Sequence, residues 1–236
     1  MDLIVLLISS IIILIILAVL LRFNGKNIKS IKSIGCDKRL NEITNKLPEN
    51  EYVCREILKM IKNENVKIKV GNENSQSSLY IVATNSILIA NIKNTFTRIQ
   101  TIAHECIHSI QDKRLLWFNF IFSNIYLIYF TIITILALFN KLANPSIYSN
   151  ILVMMSVLAY FVRSYIETDA MIRARFLAKE YLARKIDCVS ENEVDTIVSN
   201  YDRLNEIGVK FYNFKLLFDY VVKIVVFLVV AIWGCK

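Results

Sequence analysis

Four apolar runs divide this chain, and the stretches between them are strongly polar. Residues 3–21 are almost all Ile, Leu and Val, and residues 115–139, 147–162 and 216–233 form three further runs. A helix needs about 20 apolar residues to cross a bilayer. The pattern therefore predicts four transmembrane helices, the third shorter and split from the second by the turn Asn144-Pro145-Ser146. Trp117, near one end of the second run, suits a membrane interface. No basic stretch precedes the first run and no small-residue cleavage site follows it, so it reads as a retained anchor rather than a removed signal peptide.

Between the runs the periodicity changes. Residues 37–46 and 51–63 repeat at helical spacing on either side of Pro48, with Val53, Ile57, Met60 and Ile61 as the apolar stripe of the second helix. Val66-Lys67-Ile68-Lys69-Val70 alternates like a half-buried strand. A polar turn over 71–77 leads to strands at 79–83 and 87–90 around Thr84-Asn85-Ser86, and Asn94 or Thr95 is placed to cap the helix that follows. A small sheet thus runs directly into that helix. Beyond the third run, Ala174, Leu177, Ala178, Tyr181 and Leu182 keep helical spacing. Ser190-Glu191-Asn192-Glu193 has the form of a capping box, and Gly208 stands where the next helix would end or kink. Asp219 and Lys223, four apart in the last run, read as a paired, snorkelling couple. The expected segments are an anchor (1–21), a polar segment (22–114), a transmembrane hairpin (115–165), a helical polar segment (166–215) and a closing helix (216–236).

Composition and charge orient this layout. Of the 236 residues 55% are hydrophobic, and 28 Lys and Arg against 20 Asp and Glu leave a net charge of +8. Sixteen basic residues fall in 22–114 and nine in 163–215, segments that four spans place on one side. By the positive-inside rule that side is the cytoplasm, with both termini outside. A basic face near anionic lipid accounts for the charge, and no nucleic-acid partner is needed. Cys36, Cys54, Cys106, Cys188 and Cys235 include no C-x-x-C pair and read as reduced thiols.

The chain's only two histidines lie in Ala103-His104-Glu105-Cys106-Ile107-His108-Ser109, the pattern H-E-x-x-H. On a helix, imidazoles four apart can hold one metal ion, and the Glu beside the first can act on water there. Thr101, His104, Glu105, His108, Gln111 and Asp112 share one arc of that helix; Ile99, Ile102, Ala103, Cys106, Ile107 and Ile110 share the other. Cys106 faces roughly 200° from His104 and is expected to be inert core. The fold class is then an α+β membrane protein, mainly α, with four transmembrane helices and a small sheet beside the H-E-x-x-H helix in a zincin-like cytoplasmic part. The sheet's free edge can hold an extended peptide or simply brace the helix.

Tetrahedral zinc with an open position needs a third protein ligand, and no third His exists. Glu167 is the leading candidate, because a hairpin of two membrane helices separates it from His108 and returns it to the same interface. Asp169, Glu180 and Asp112 compete.

On these features the chain resembles the YugP-like membrane neutral zinc metallopeptidases over nearly its whole length. The resemblance runs from the anchor and basic stretch through Arg55-Glu56-Ile57-Leu58 and the strand 66–70. It continues through Ala103-His104-Glu105, His108 and Ile110-Gln111 to Glu167-Thr168-Asp169-Ala170 with Arg173-Ala174. It implies His104, His108 and Glu167 as Zn2+ ligands and Glu105 as catalytic acid/base, and it raises Glu167 above Asp169. Ile107 and Ser109 depart from the family's Gly and Ala, and Met171 stands where related peptidases often carry Asp. The expected activity is hydrolysis of a protein or peptide substrate at the cytoplasmic face, with Arg173, Tyr80 and Tyr165 as candidate oxyanion donors. The polar flanks Arg98, Gln100, Lys113 and Arg114 set the motif apart from proteases that bury it at bilayer depth. The alternative is a non-catalytic membrane scaffold whose metal only clamps the fold.

Overall fold

A computed structural model describes residues 3–20, 29, 33–35, 37–71 and 77–234. The turn expected over 71–77, much of the basic stretch after the first apolar run, Cys36 and Cys235 lie wholly or largely outside these residues. The elements are α1 (Leu3–Leu20), α2 (Lys38–Asn45), α3 (Asn50–Met60), β1 (Lys67–Val70), β2 (Leu79–Ile81), β3 (Ser86–Ile89), α4 (Arg98–Ile110), α5 (Lys113–Leu138), α6 (Pro145–Ala183) and α7 (Glu191–Gly234).

Three of these, α5, α6 and α7, are long and apolar enough to cross a membrane. They support a multi-pass membrane protein. The first expected span forms the apolar helix α1, which is not among the membrane-length helices, so three of the four expected spans are found among the described residues. Two elements also outrun their predicted spans. The third run continues without a break into the periodic stretch after it, so α6 has 39 residues. The fourth is the end of a 44-residue α7 that passes straight through Gly208. A Cβ at Gly208 would meet only the tip of Met171, at 3.3 Å. Half of the capping box expected at the start of α7 forms: Glu193 Oε2 accepts from the Ser190 amide at 3.0 Å, while the Ser190 hydroxyl also donates to that carboxylate at 3.2 Å instead of accepting from the helix.

The chain divides into two compact units. The first holds α1, residues 118–165 and the end of α7 from Lys210. Its core joins Leu6, Tyr126, Ile133, Leu152, Tyr220 and Phe227 with the small residues Ala137, Ala159 and Ala231. Small side chains let membrane helices approach closely. At Gly234 a Cβ would run into the Ala137 carbonyl. Helix α5 ends in a Schellman motif: Asn140 adopts φ 52°, Lys141 N–H reaches Leu136 O and Asn140 N–H reaches Ala137 O. Large apolar side chains such as Ile125, Ile128, Ile132 and Val226 remain exposed on this unit, as lipid contact requires.

The second unit spans residues 24–117 and 166–209. Its mixed sheet has the order β1-β3-β2, with β1 parallel and β2 antiparallel to the central β3. The strand expected over 79–83 is shorter, because Val82–Thr84 winds into a 3-10 turn and Asn85 turns the chain at φ 45°. Helix α3 buries Val53, Cys54, Ile57 and Leu58, leaving Met60 and Ile61 only half-buried. Asp37 caps α2 through the amides of Arg39 and Leu40. Arg98, fully buried, donates to the carbonyls of Thr44, Leu47 and Pro48 and to Asn50 Oδ1. It thereby satisfies the carbonyls at the end of α2 and locks the start of α4 against them. Tyr181 and Lys185 hold Glu56 of α3, at 3.1 and 2.7 Å.

Candidate metal centre

Helix α4 carries the motif and is buried nearly all round. Ile99, Ile102, Ala103 and Cys106 are fully inaccessible, as the apolar arc predicts. Glu105 and His108 on the other side are buried as well, as is Ser109 at the edge of the apolar arc, under groups from β2, α6 and the turn after α3. Neither Asn94 nor Thr95 caps the helix. Thr97 precedes it without a side-chain cap bond, and the Thr95 hydroxyl donates to Ile92 O in the preceding turn. Cys106 is core, its Sγ 3.8 Å from that of Cys54, and burial pushes its thiol well above the usual range.

Glu167, on α6, comes to the two histidines. Its Oε2 lies 3.3 Å from His104 Nε2 and 3.8 Å from His108 Nε2, and the two Nε2 atoms are 3.0 Å apart. All three donor atoms fall within 4.8 Å of one another, the one such group among the described residues. Ligands at roughly 2.0–2.1 Å in tetrahedral geometry stand about 3.3 Å from each other. The observed separations bracket that value, and two imidazoles with a carboxylate form a donor set that suits zinc. The side chains of His104 and Glu167 are each 20% exposed, so the centre is reachable from outside.

Gln111 orients this arrangement. Its Nε2 donates to the Ile166 carbonyl at 2.8 Å and to Asp169 Oδ2 at 2.7 Å. Two acceptors on the NH2 side leave Oε1 facing His108 Nδ1, also at 2.8 Å. Nδ1 must then carry the proton, which leaves Nε2 with its lone pair toward the centre. Asp169, one competitor for third ligand, is thus occupied by Gln111 and by Arg173 at 3.3 Å. Glu180 pairs with Arg184, and Asp112 accepts from the Arg114 amide as α5 begins.

The two imidazoles are driven apart in pKa. Burial alone would lower His104, but the Glu167 hydrogen bond and the charges of Glu105 and Glu167 raise it above the ordinary value. His108 is lowered by burial and by His104, against the opposing pull of Glu167, Gln111 and Asp169. Glu105 is raised, chiefly by burial and also by Glu167, although His104 and the Tyr80 amide favour its ionised form.

Glu105 is anchored by the sheet. Its Oε2 accepts from the Tyr80 amide at 2.6 Å. Tyr80 lies opposite Ile87 of β3, and its N–H points away from that strand, so the outer edge of β2 faces Glu105. The Tyr80 hydroxyl is taken by Asn85 Oδ1 at 2.8 Å and Arg173 Nη1 by Asp169; Tyr165 is 64% exposed. Ser109 receives Asn63 Nδ2 at 2.8 Å, which ties the turn after α3 to the motif helix. The links made by Tyr80 N–H and Asn63 have no signature in the sequence. Gln111 had one, its place three residues after His108.

No protein-family model, no curated protein and no solved structure matches this chain.

Proposed function

We propose that the chain is a membrane-bound zinc metallopeptidase that cleaves a protein or peptide substrate at the cytoplasmic face of the membrane. The observation that carries this reading is the convergence of His104, His108 and Glu167 from helices far apart in sequence, with the buried Glu105 carboxylate on the same helix as the histidines. The resemblance of the motif and of Glu167-Thr168-Asp169-Ala170 to the YugP-like zinc peptidases supports zinc and peptide hydrolysis. The placement of 25 of the 28 basic residues supports the cytoplasmic side.

In this reading His104, His108 and Glu167 hold the ion, and Gln111 keeps His108 in the tautomer that presents Nε2. Zinc in such a site supplies Lewis acidity to a carbonyl and to water. Glu105 receives the proton of the attacking water at the carboxylate oxygen that Tyr80 does not engage, and delivers it to the leaving amine. An extended peptide adds along the outer edge of β2, beside Glu105.

The test uses purified protein with its zinc content measured. Chelator-sensitive cleavage of an unfolded protein is expected, and Glu105→Gln retains zinc while losing turnover. Persistent hydrolysis in Glu105→Gln refutes the role of Glu105. Stoichiometric zinc with no cleavage by the wild type moves the chain to the scaffold reading, with a structural metal.

A further inference from the structure

The strand beside Glu105 has two faces of opposite character. The Tyr80 side chain is buried, 7% exposed, in a row with Ile87 of β3 and Ile68 of β1. Leu79 points to the other face, as strand alternation requires, in a row with Leu88 and Lys69. It is 55% exposed, with Leu88 half-buried next to it. Ile81, two residues on, shares that face and is half-buried as well. The rim of the sheet therefore carries an apolar, solvent-facing side chain one residue from the amide that holds the Glu105 carboxylate.

That amide fixes how another chain can pair here. The Tyr80 N–H is directed out of the sheet, to Glu105 Oε2 at 2.6 Å, while its neighbours in β2 turn their backbone groups to β3. A chain added along this edge bonds to the outward groups, and its own side chains alternate between the two faces. In either chain direction, the side chain directly opposed to Leu79 comes to the outer face beside it, with Cβ atoms about 4.5–5.5 Å apart. An apolar, β-branched or aromatic side chain gains contact there, and a charged one gives up water without a partner. Such opposed pairs change affinity by up to about fivefold.

We propose that Leu79 is a specificity-determining residue, selecting an apolar substrate side chain at the one position opposed to it on the outer face of β2. This rests on the peptidase reading and on strand addition along this edge.

The experiment profiles cleavage sites by mass spectrometry in a mixed library of unfolded peptides, using the full-length, zinc-loaded protein in detergent. The wild type prefers apolar over charged residues about fivefold at one position near the cut bond. Leu79→Lys moves that position toward Asp and Glu, and Leu79→Glu moves it toward Lys and Arg, with the other positions unchanged. Opposite shifts in the two variants separate a contact from damage to the fold. An unchanged profile in both, or the same shift in both, overturns the proposal. The same library is also captured on immobilised Glu105→Gln protein, with and without Leu79→Lys. A captured set that turns from apolar to acidic, where the wild type cuts nothing, upholds the pairing at Leu79 and refutes the peptidase reading. Capture and cleavage both indifferent to residue 79, or both absent, overturn the pairing.

Discussion

Replacing Gln111 by Leu isolates what its amide does for the metal centre. The side chain makes three hydrogen bonds of 2.7–2.8 Å, one to His108 and two to the segment that carries Glu167. The bond to His108 Nδ1 is the one that acts on metal affinity. Its net value is about 1 kcal/mol, and the free imidazole regains the wrong tautomer once it is lost. Since tenfold in affinity corresponds to about 1.4 kcal/mol, Gln111→Leu weakens zinc binding by roughly 5–10-fold, the lower end of what ligand-orienting partners contribute. The two remaining bonds hold α6 against the motif, and the one to Asp169 is charge-assisted. Their loss lowers the stability of the metal-free protein by about 2–3 kcal/mol. Gln111→Glu separates the two effects. A carboxylate still accepts from His108 Nδ1 and supports zinc binding, but it can no longer donate to Ile166 O and it repels Asp169. Competition titration of zinc against a chromophoric chelator, beside thermal unfolding of the apo protein, reads both quantities. Zinc affinity unchanged in Gln111→Leu, or lost equally in both variants, would show that the amide does not set the His108 tautomer.

Three further outcomes follow from the same geometry. His104 must lose its proton to bind metal and its pKa is raised, so zinc affinity climbs with pH up to that pKa and falls about tenfold per unit below it. A flat affinity profile between roughly pH 5.5 and 8.5 contradicts this assignment. Arg98→Met leaves the Thr44, Leu47 and Pro48 carbonyls without their buried donor and costs about 3–5 kcal/mol, read as a lowered unfolding midpoint in detergent. Gly208→Ala places its Cβ against only the flexible end of Met171 and adds helix propensity, so it is neutral to stabilising by about 0.5–1 kcal/mol in the same assay.

Much of the architecture was legible along the chain, and the features that were share a local cause. The H-E-x-x-H helix, the link between Ser190 and Glu193 and the apolar runs each depend on residues within a turn or two of one another. The helix ends were less legible. Gly208 reads as a breaker, yet α7 passes through it where Met171 packs beside the bare backbone. Thr95 has the right residue type for a cap, but its hydroxyl is committed to the preceding turn. The spacing of Asp219 and Lys223 permits an ion pair, and the neighbouring tyrosines offer Lys223 a competing partner that spacing cannot reveal.

By itself the sequence determined that two imidazoles share one helical face with a carboxylate beside them, and that several segments are apolar enough for lipid. Both are properties of short-range periodicity, which backbone geometry imposes whatever surrounds it. The order of the segments and the resemblance put Glu167 first among the acids, but only the tertiary structure brought its carboxylate beside the histidines and took Asp169 elsewhere. Glu167 and Asp169 lie within one turn of α6 and have equivalent chemistry, Glu180 lies further along the same helix, and the choice between the first two rests on which side of that helix meets α4. The packing turns Glu167 toward the two Nε2 atoms and gives Asp169 to Gln111 and Arg173. Contacts across more than fifty residues depend on how helices settle against one another, and no local pattern carries that information.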